Sequence, residues 1–111
     1  MVAIRKSLPN RRASESFGFV CAGLNYTATV SRDDEGHLAE LFVNNHKVNS
    51  EADINARDAA ILCSLLLQYG APVKMIRASL GCNSDGEPIS PVGVALKKVE
   101  QCDTLGSGAA R

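Results

Sequence analysis

Few side chains able to do chemistry are present, and they are scattered. Two histidines (His37, His46) and four cysteines (Cys21, Cys63, Cys82, Cys102) stand at spacings that fit no nucleophile or metal motif. No two cysteines form a CxxC pair. A zinc site would have to gather ligands from these separate positions, and isolated spacings give no reason to expect one. His37 follows a turn at a strand start, where exposure to solvent accounts for it. No glycine-rich phosphate loop follows a strand-like run. The catalytic set is therefore empty. No metal and no cofactor is expected, and the chain reads as a non-enzyme.

Binding is better represented than catalysis. The stretch 44–50 (Asn-Asn-His-Lys-Val-Asn-Ser) runs directly into a helix start. Free main-chain N–H groups, the positive end of the helix dipole and a lysine together suit an anion. Lys47, Asn49, Ser50 and Arg57 are the candidate contacts, and a nucleotide or another phosphate-containing ligand is the class they fit. An ordinary strand-to-helix connection with its cap explains the same residues without a ligand. Asp58 is the other candidate, because it lies on an apolar stripe with Ile54, Ile61 and Leu62. If that stripe is buried, the carboxylate needs a partner. Arg57 is about 100° away around the helix, so the cation has to come from another element or another chain. A structural role for Asp58, fixing the position of the helix, is the favoured reading.

The elements that position these groups follow from periodicity. Phe17, Phe19 and Cys21 alternate with small or exposed residues, and Ala22-Gly23 offers a turn. Tyr26, Ala28 and Val30 then alternate with Asn25, Thr27, Thr29 and Ser31, the pattern of a half-buried antiparallel strand. Asp33-Asp34-Glu35-Gly36 supplies turn chemistry. A third strand over 37–44 places Ala39, Leu41 and Val43 on one face. Phe42 falls on the other, which suggests that a second copy covers it. The period then becomes helical. Ser50 is the N-cap, Glu51 and Asp53 sit in the first turn, and Gly70 ends the helix. Ser50, Asp53, Arg57, Ser64 and Gln68 form a narrow polar stripe on a helix that is otherwise apolar. Such a helix is expected to be nearly surrounded, at the centre of the domain or in an oligomer interface. Pro72 opens a second helix with Val73, Ile76 and Leu80 inward. Ser90 and Pro91 begin a third, with Val92, Ala95, Leu96 and Val99 buried.

Strands first and helices afterwards predict an α+β fold, a small antiparallel sheet of about three strands with two or three helices packed on one face. The 111 residues suffice for one domain with a real core. Residues 1–15 read as a flexible basic arm, 16–101 as the domain and 102–111 as a disordered tail. Lys plus Arg and Asp plus Glu are both 12. Zero net charge argues against binding to nucleic acid, with the arm as its only basis, and favours self-association into a homo-oligomer. The mainly apolar run 59–67 is too short to span a bilayer. The N-terminus has no hydrophobic leader, so a cytoplasmic protein with reduced thiols is expected.

Residues 26–99 resemble the TSCPD domain family. The likeness rests on the hairpin DDEGHLAELFVNNHKVNSE, the helix ARDAAILCSLLLQYGAPVKMIRASL and the closing ISPVGVALKKV. The family hairpin reads G-x-x-x-E-V-F-[VL]-x-x-G-K-x-G-S. Gly36, Glu40, Leu41, Phe42, Val43, Lys47 and Ser50 fit it, whereas His46 and Asn49 stand where glycines are common. The motif that names the family, Thr-Ser-Cys-Pro-Asp, is represented only by Ser90-Pro91. Ser90 replaces its cysteine and Val92 its aspartate, so any chemistry of those two residues is lost while the helix cap is kept. The domain occurs near the C-terminal end of adenosylcobalamin-dependent ribonucleotide reductases and as small stand-alone proteins. Radical chemistry in those enzymes belongs to a catalytic barrel that 111 residues do not contain. The resemblance therefore implies a non-catalytic accessory module near nucleotide metabolism, with a protein partner.

Overall fold

The structure, a computed structural model, describes residues 4–8 and 13–106. Three strands, β1 (Ser14–Cys21), β2 (Leu24–Arg32) and β3 (Leu38–Asn45), form an antiparallel meander in the order β1-β2-β3. Three helices follow: α1 (Glu51–Gln68), α2 (Val73–Ser79) and α3 (Pro91–Gly106). This is the expected small α+β fold. The expected arm and tail are shorter than read from the sequence. Ser14 and Glu15 already belong to β1, and α3 continues to Gly106. Residues 1–3, 9–12 and 107–111 lie outside the described residues.

Turn chemistry sets the register. Ala22 and Gly23 both adopt positive φ, 51° and 77°, which makes a two-residue turn whose twist matches the strands it joins. The turn pairs Cys21 with Leu24, and the ladder then runs Phe19 with Tyr26 and Phe17 with Ala28. The next turn is tied by Asp33, whose carboxylate accepts the main-chain N–H groups of Glu35 and His37. A register irregularity at Ser31/Arg32 immediately precedes it. Phe17, Phe19, Cys21, Tyr26, Ala28, Val30, Leu41 and Val43 face the helices, as their alternation requires. Phe19 stacks on Tyr26 with ring centroids 5.5 Å apart.

Helix α1 starts where the Ser50 hydroxyl accepts the Asp53 N–H. It ends in a left-handed Gly70 at φ 98°, with Gly70 and Ala71 donating to Leu67 and Leu66. In α3 the Ser90 hydroxyl accepts the Gly93 N–H. A glycine is required at 93, since a Cβ there would lie 2.9 Å from Pro88. Val92, Ala95, Leu96 and Val99 form the buried stripe of α3.

The orientation of α1 departs from expectation. Three members of its polar stripe face inward, Asp53 at 1% exposure, Gln68 at 5% and Ser64 at 6%, whereas Arg57 is exposed. Strand β3 is the last in the sheet, so every second residue turns its N–H and C=O away from β2. Helix α1 lies along that edge and meets several of those groups, at Ala39, Leu41 and Asn45, with side chains. Ser64 Oγ accepts the Leu41 N–H at 2.8 Å and donates to the Leu41 carbonyl at 2.9 Å. Gln68 Nε2 donates to the Ala39 carbonyl at 3.0 Å, and Asp53 Oδ1 accepts the Asn45 N–H at 2.9 Å. Four residues of helix advance about 6 Å and two of strand about 7 Å. An i, i+4 pair on a helix running against β3 therefore matches alternate strand residues, and buried Ala56 and Ala60 allow close approach. Edge pairing of this kind hides main-chain groups that would otherwise recruit another strand.

Candidate functional site

With its polar stripe spent on β3, α1 turns apolar side chains to solvent. Leu62 is 63% exposed, and Ile54, Ile61, Leu66 and Tyr69 are each about half exposed. These side chains lie together on one side of the helix and form a contiguous apolar face. The expectation of a nearly surrounded helix is thus met on one side only. Beside this face a groove of about 450 Å³ runs between α1, α2 and the start of α3. Leu62, Leu66, Ile76 and Leu80 line its walls and Tyr26 its base, and its lining is almost wholly apolar.

Asp58 is exposed on this outer face, contrary to the expectation of a buried carboxylate. The stripe that carries it points outward, so no internal cation is needed. Asp53 fills the role expected of Asp58. It is held between the N–H groups of Asn45 and Asn49, each 2.9 Å from a carboxylate oxygen. The Asn49 and Asn45 N–H groups hold Asp53 below the usual carboxylate range, against its burial, and the Arg57 guanidinium 3.7 Å away adds to them.

Lys47, Asn49, Ser50 and Arg57 do come together around the start of α1. Ser50 Oγ donates to the Lys47 carbonyl at 2.7 Å, and Arg57 reaches the Asn49 side chain at 3.4 Å. Asn49 takes the left-handed conformation, φ 61°, that asparagine tolerates. The negative charge favoured at this helix start is already supplied by Asp53. Among the described residues the Nδ2 of buried Asn45 has no partner, while its Oδ1 accepts the Lys47 N–H.

Sequence reasoning missed a second cluster. Asp33, Glu35 and His37 place their ligand atoms within 4.8 Å of one another at the β2–β3 turn. The Lys6 ammonium lies among them, 2.6 Å from Glu35 and 3.3 Å from both Asp33 and Asp34. The Glu35 hydrogen bond, ahead of the other two carboxylates, raises the Lys6 pKa against some desolvation. Arg5 and the Lys6 N–H bind the Gln68 side chain and carbonyl. The segment 4–8, read as part of a flexible arm, thus lies against the end of α1. It borders a cavity of about 750 Å³ that Arg32, Leu67, Pro72 and Val99 also line. No local motif could announce this cluster, because Lys6 and Glu35 are 29 residues apart.

On the outer face of the sheet, Thr27 meets His46 at 3.3 Å, Ser31 donates to Glu40 at 2.6 Å and Phe42 remains 43% exposed. The four cysteines are free thiols, two buried and two exposed. No helix among the described residues is long and apolar enough to cross a membrane. The chain matches no family model, no curated protein and no solved structure.

Proposed function

We propose that this chain is a non-catalytic interaction domain, homo-oligomeric in a cytoplasmic setting, that docks on another protein through the outer face of α1 and the adjoining groove. The observation that carries this reading is the inverted α1. A helix whose polar side chains are committed to a strand edge leaves Ile54, Ile61, Leu62 and Leu66 facing water, and burial of that face gives association its driving force. The partner presents an apolar surface of its own, such as the apolar side of an amphipathic helix. The TSCPD resemblance supports the same reading, because it implies an accessory module. A nucleotide or phosphate ligand at Lys47, Asn49, Ser50 and Arg57 is the weaker alternative, since Asp53 already supplies an anion there.

Native mass spectrometry after gentle purification from the host, with Leu62→Glu in parallel, tests the proposal. Wild type should carry a protein partner in fixed ratio, and Leu62→Glu should lose it while keeping its circular dichroism. A partner retained by Leu62→Glu, or no partner at all, would overturn the reading. A retained mass of nucleotide size would favour the alternative.

A further inference from the structure

The two edges of the sheet are treated differently. The outward main-chain groups of β3 at Ala39, Leu41 and Asn45 are met by α1 side chains. At the other edge, Cys21 and Leu24 close the hairpin, so Phe19 and Phe17 turn their N–H and C=O toward β2. Ser16, Gly18 and Val20 turn theirs outward. Among the described residues nothing hydrogen-bonds to that outward side, and all three residues are exposed. Natural sheets guard an open edge with lysine, proline, a bulge or a covering element. Strand β1 (Ser-Glu-Ser-Phe-Gly-Phe-Val-Cys) has no lysine and no proline, and its eight residues pair with β2 without a register shift.

We infer that the open edge of β1 pairs antiparallel with β1 of a second copy about a two-fold axis at Gly18, joining two three-stranded sheets into one. The inference rests on the homo-oligomeric part of the reading above and assigns it a surface remote from α1. The sequence of the strand is self-complementary about Gly18. Ser16 faces Val20 of the second copy, Gly18 faces Gly18 of the second copy, and these pairs exchange both N–H···O=C bonds. Phe17 then stands opposite Phe19 of the second copy, so the half-buried Phe17 ring gains an aromatic cross-strand neighbour on each side of the axis. Glu15, the single charge in the strand, falls opposite Cys21 of the second copy, and no like charges meet. Gly18 makes sense here too. A Cβ would meet nothing nearer than the Tyr26 carbonyl at 3.8 Å, so the fold of one chain does not call for glycine. A strand glycine often marks a bulge, a bend or a close approach of a ligand or another backbone, and β1 pairs without a bulge. The pairing buries on the order of 1,000 Å² in total, near the lower limit for a specific interface, which places the dimer among weak, concentration-dependent ones.

Sedimentation of the purified chain at concentrations up to about 200 µM, with three variants, tests the inference. Ser16→Pro removes an N–H that points away from β2, so it spares the intrachain ladder while blocking the new one. It should weaken dimerisation at least tenfold, about 1.4 kcal/mol. Phe17→Glu, which leaves the backbone alone, should do the same. Leu62→Glu should leave the dimer intact. Hydrogen exchange needs no variant: the Gly18 amide should become protected as concentration rises. A wild type that stays monomeric overturns the edge pairing while leaving docking through α1 to its own test. A dimer indifferent to Ser16→Pro and Phe17→Glu, or one lost in Leu62→Glu alone, also overturns it.

Discussion

Replacing Ser64 by alanine should destabilise the domain, although the sequence pattern argues for the reverse. On a solvent-facing stripe the change would help, because alanine favours helix over serine by roughly 0.5 kcal/mol. In the structure the Ser64 hydroxyl is the partner of both the N–H and the C=O of Leu41, at 2.8 and 2.9 Å, in a buried contact. Removing it strands two main-chain groups, each at a cost of about 1–3 kcal/mol. Ser64 is 6% exposed, so the stranded groups stay away from bulk water. After the helix gain is set against this, the net loss is about 1.5–5.5 kcal/mol, a large share of the roughly 5–15 kcal/mol typical of a domain. At about 4–6 °C per kcal/mol for a chain of this length, the melting temperature should fall by at least about 6 °C and by up to roughly 30 °C. Thermal melts and urea titrations followed by circular dichroism would measure both, with an unchanged denaturant slope showing that the native state remains compact. Faster exchange of the Leu41 amide would localise the damage. A melting temperature equal to or above wild type would refute the edge-capping role of α1 altogether.

Two further outcomes follow from the titrating groups. Asp53 is held below the ordinary carboxylate range by the Asn49 and Asn45 N–H groups. Burial pushes Asp33 up, but the N–H groups of His37 and Glu35 and the Lys6 ammonium bring it below that range as well. A pKa lowered on folding stabilises the native state fully above the unfolded value, near 4, and is lost as pH falls through the folded value. Melting temperature should therefore hold between about pH 5 and 7 and drop below about pH 4. Asp53→Asn should start lower and drop less steeply, with Asp33 supplying the remainder; acid limbs that run parallel would exclude Asp53 as a source. Burial pushes the Cys63 thiol up to about 11 and raises Cys21 too, whereas Cys82 and Cys102 are exposed. A thiol reagent at about pH 8 should label Cys82 and Cys102 quickly and the buried pair only on unfolding; prompt labelling of Cys63 would contradict its packing.

The alternation in β1, β2 and β3 was plain in the sequence, because an inward residue at every second position leaves a period that survives without neighbours. Helix starts at Ser50 and Ser90 and the stop at Gly70 were also legible, since caps act within one turn. The direction in which α1 faces was not. Periodicity gives the axis along which polar and apolar residues separate, and the usual assumption that the apolar side is buried supplies the sign. Here the buried neighbour is the unpaired backbone of β3, which prefers Ser64, Gln68 and Asp53 to leucine, so the sign reverses. Asp58 was misplaced for the same reason. Lys47, Asn49, Ser50 and Arg57 lie near one another because they belong to the loop before α1 and to its first two turns. The carboxylates around Lys6 all belong to one turn, but Lys6 itself stands 29 residues from Glu35, and no local signal joins it to them.

A sheet with one finished edge can grow in only one direction. Fibrous stacking of strands needs two live edges on every molecule, so that each addition exposes a new acceptor. The copy that adds to β1 presents, on its far side, a helix that lies over the β3 edge and whose serine, glutamine and aspartate bond main-chain groups of Leu41, Ala39 and Asn45. Growth terminates there. Helix α1 thus acts as a chain stop, and the concentration at which this protein is kept need not be limited by the risk of a filament.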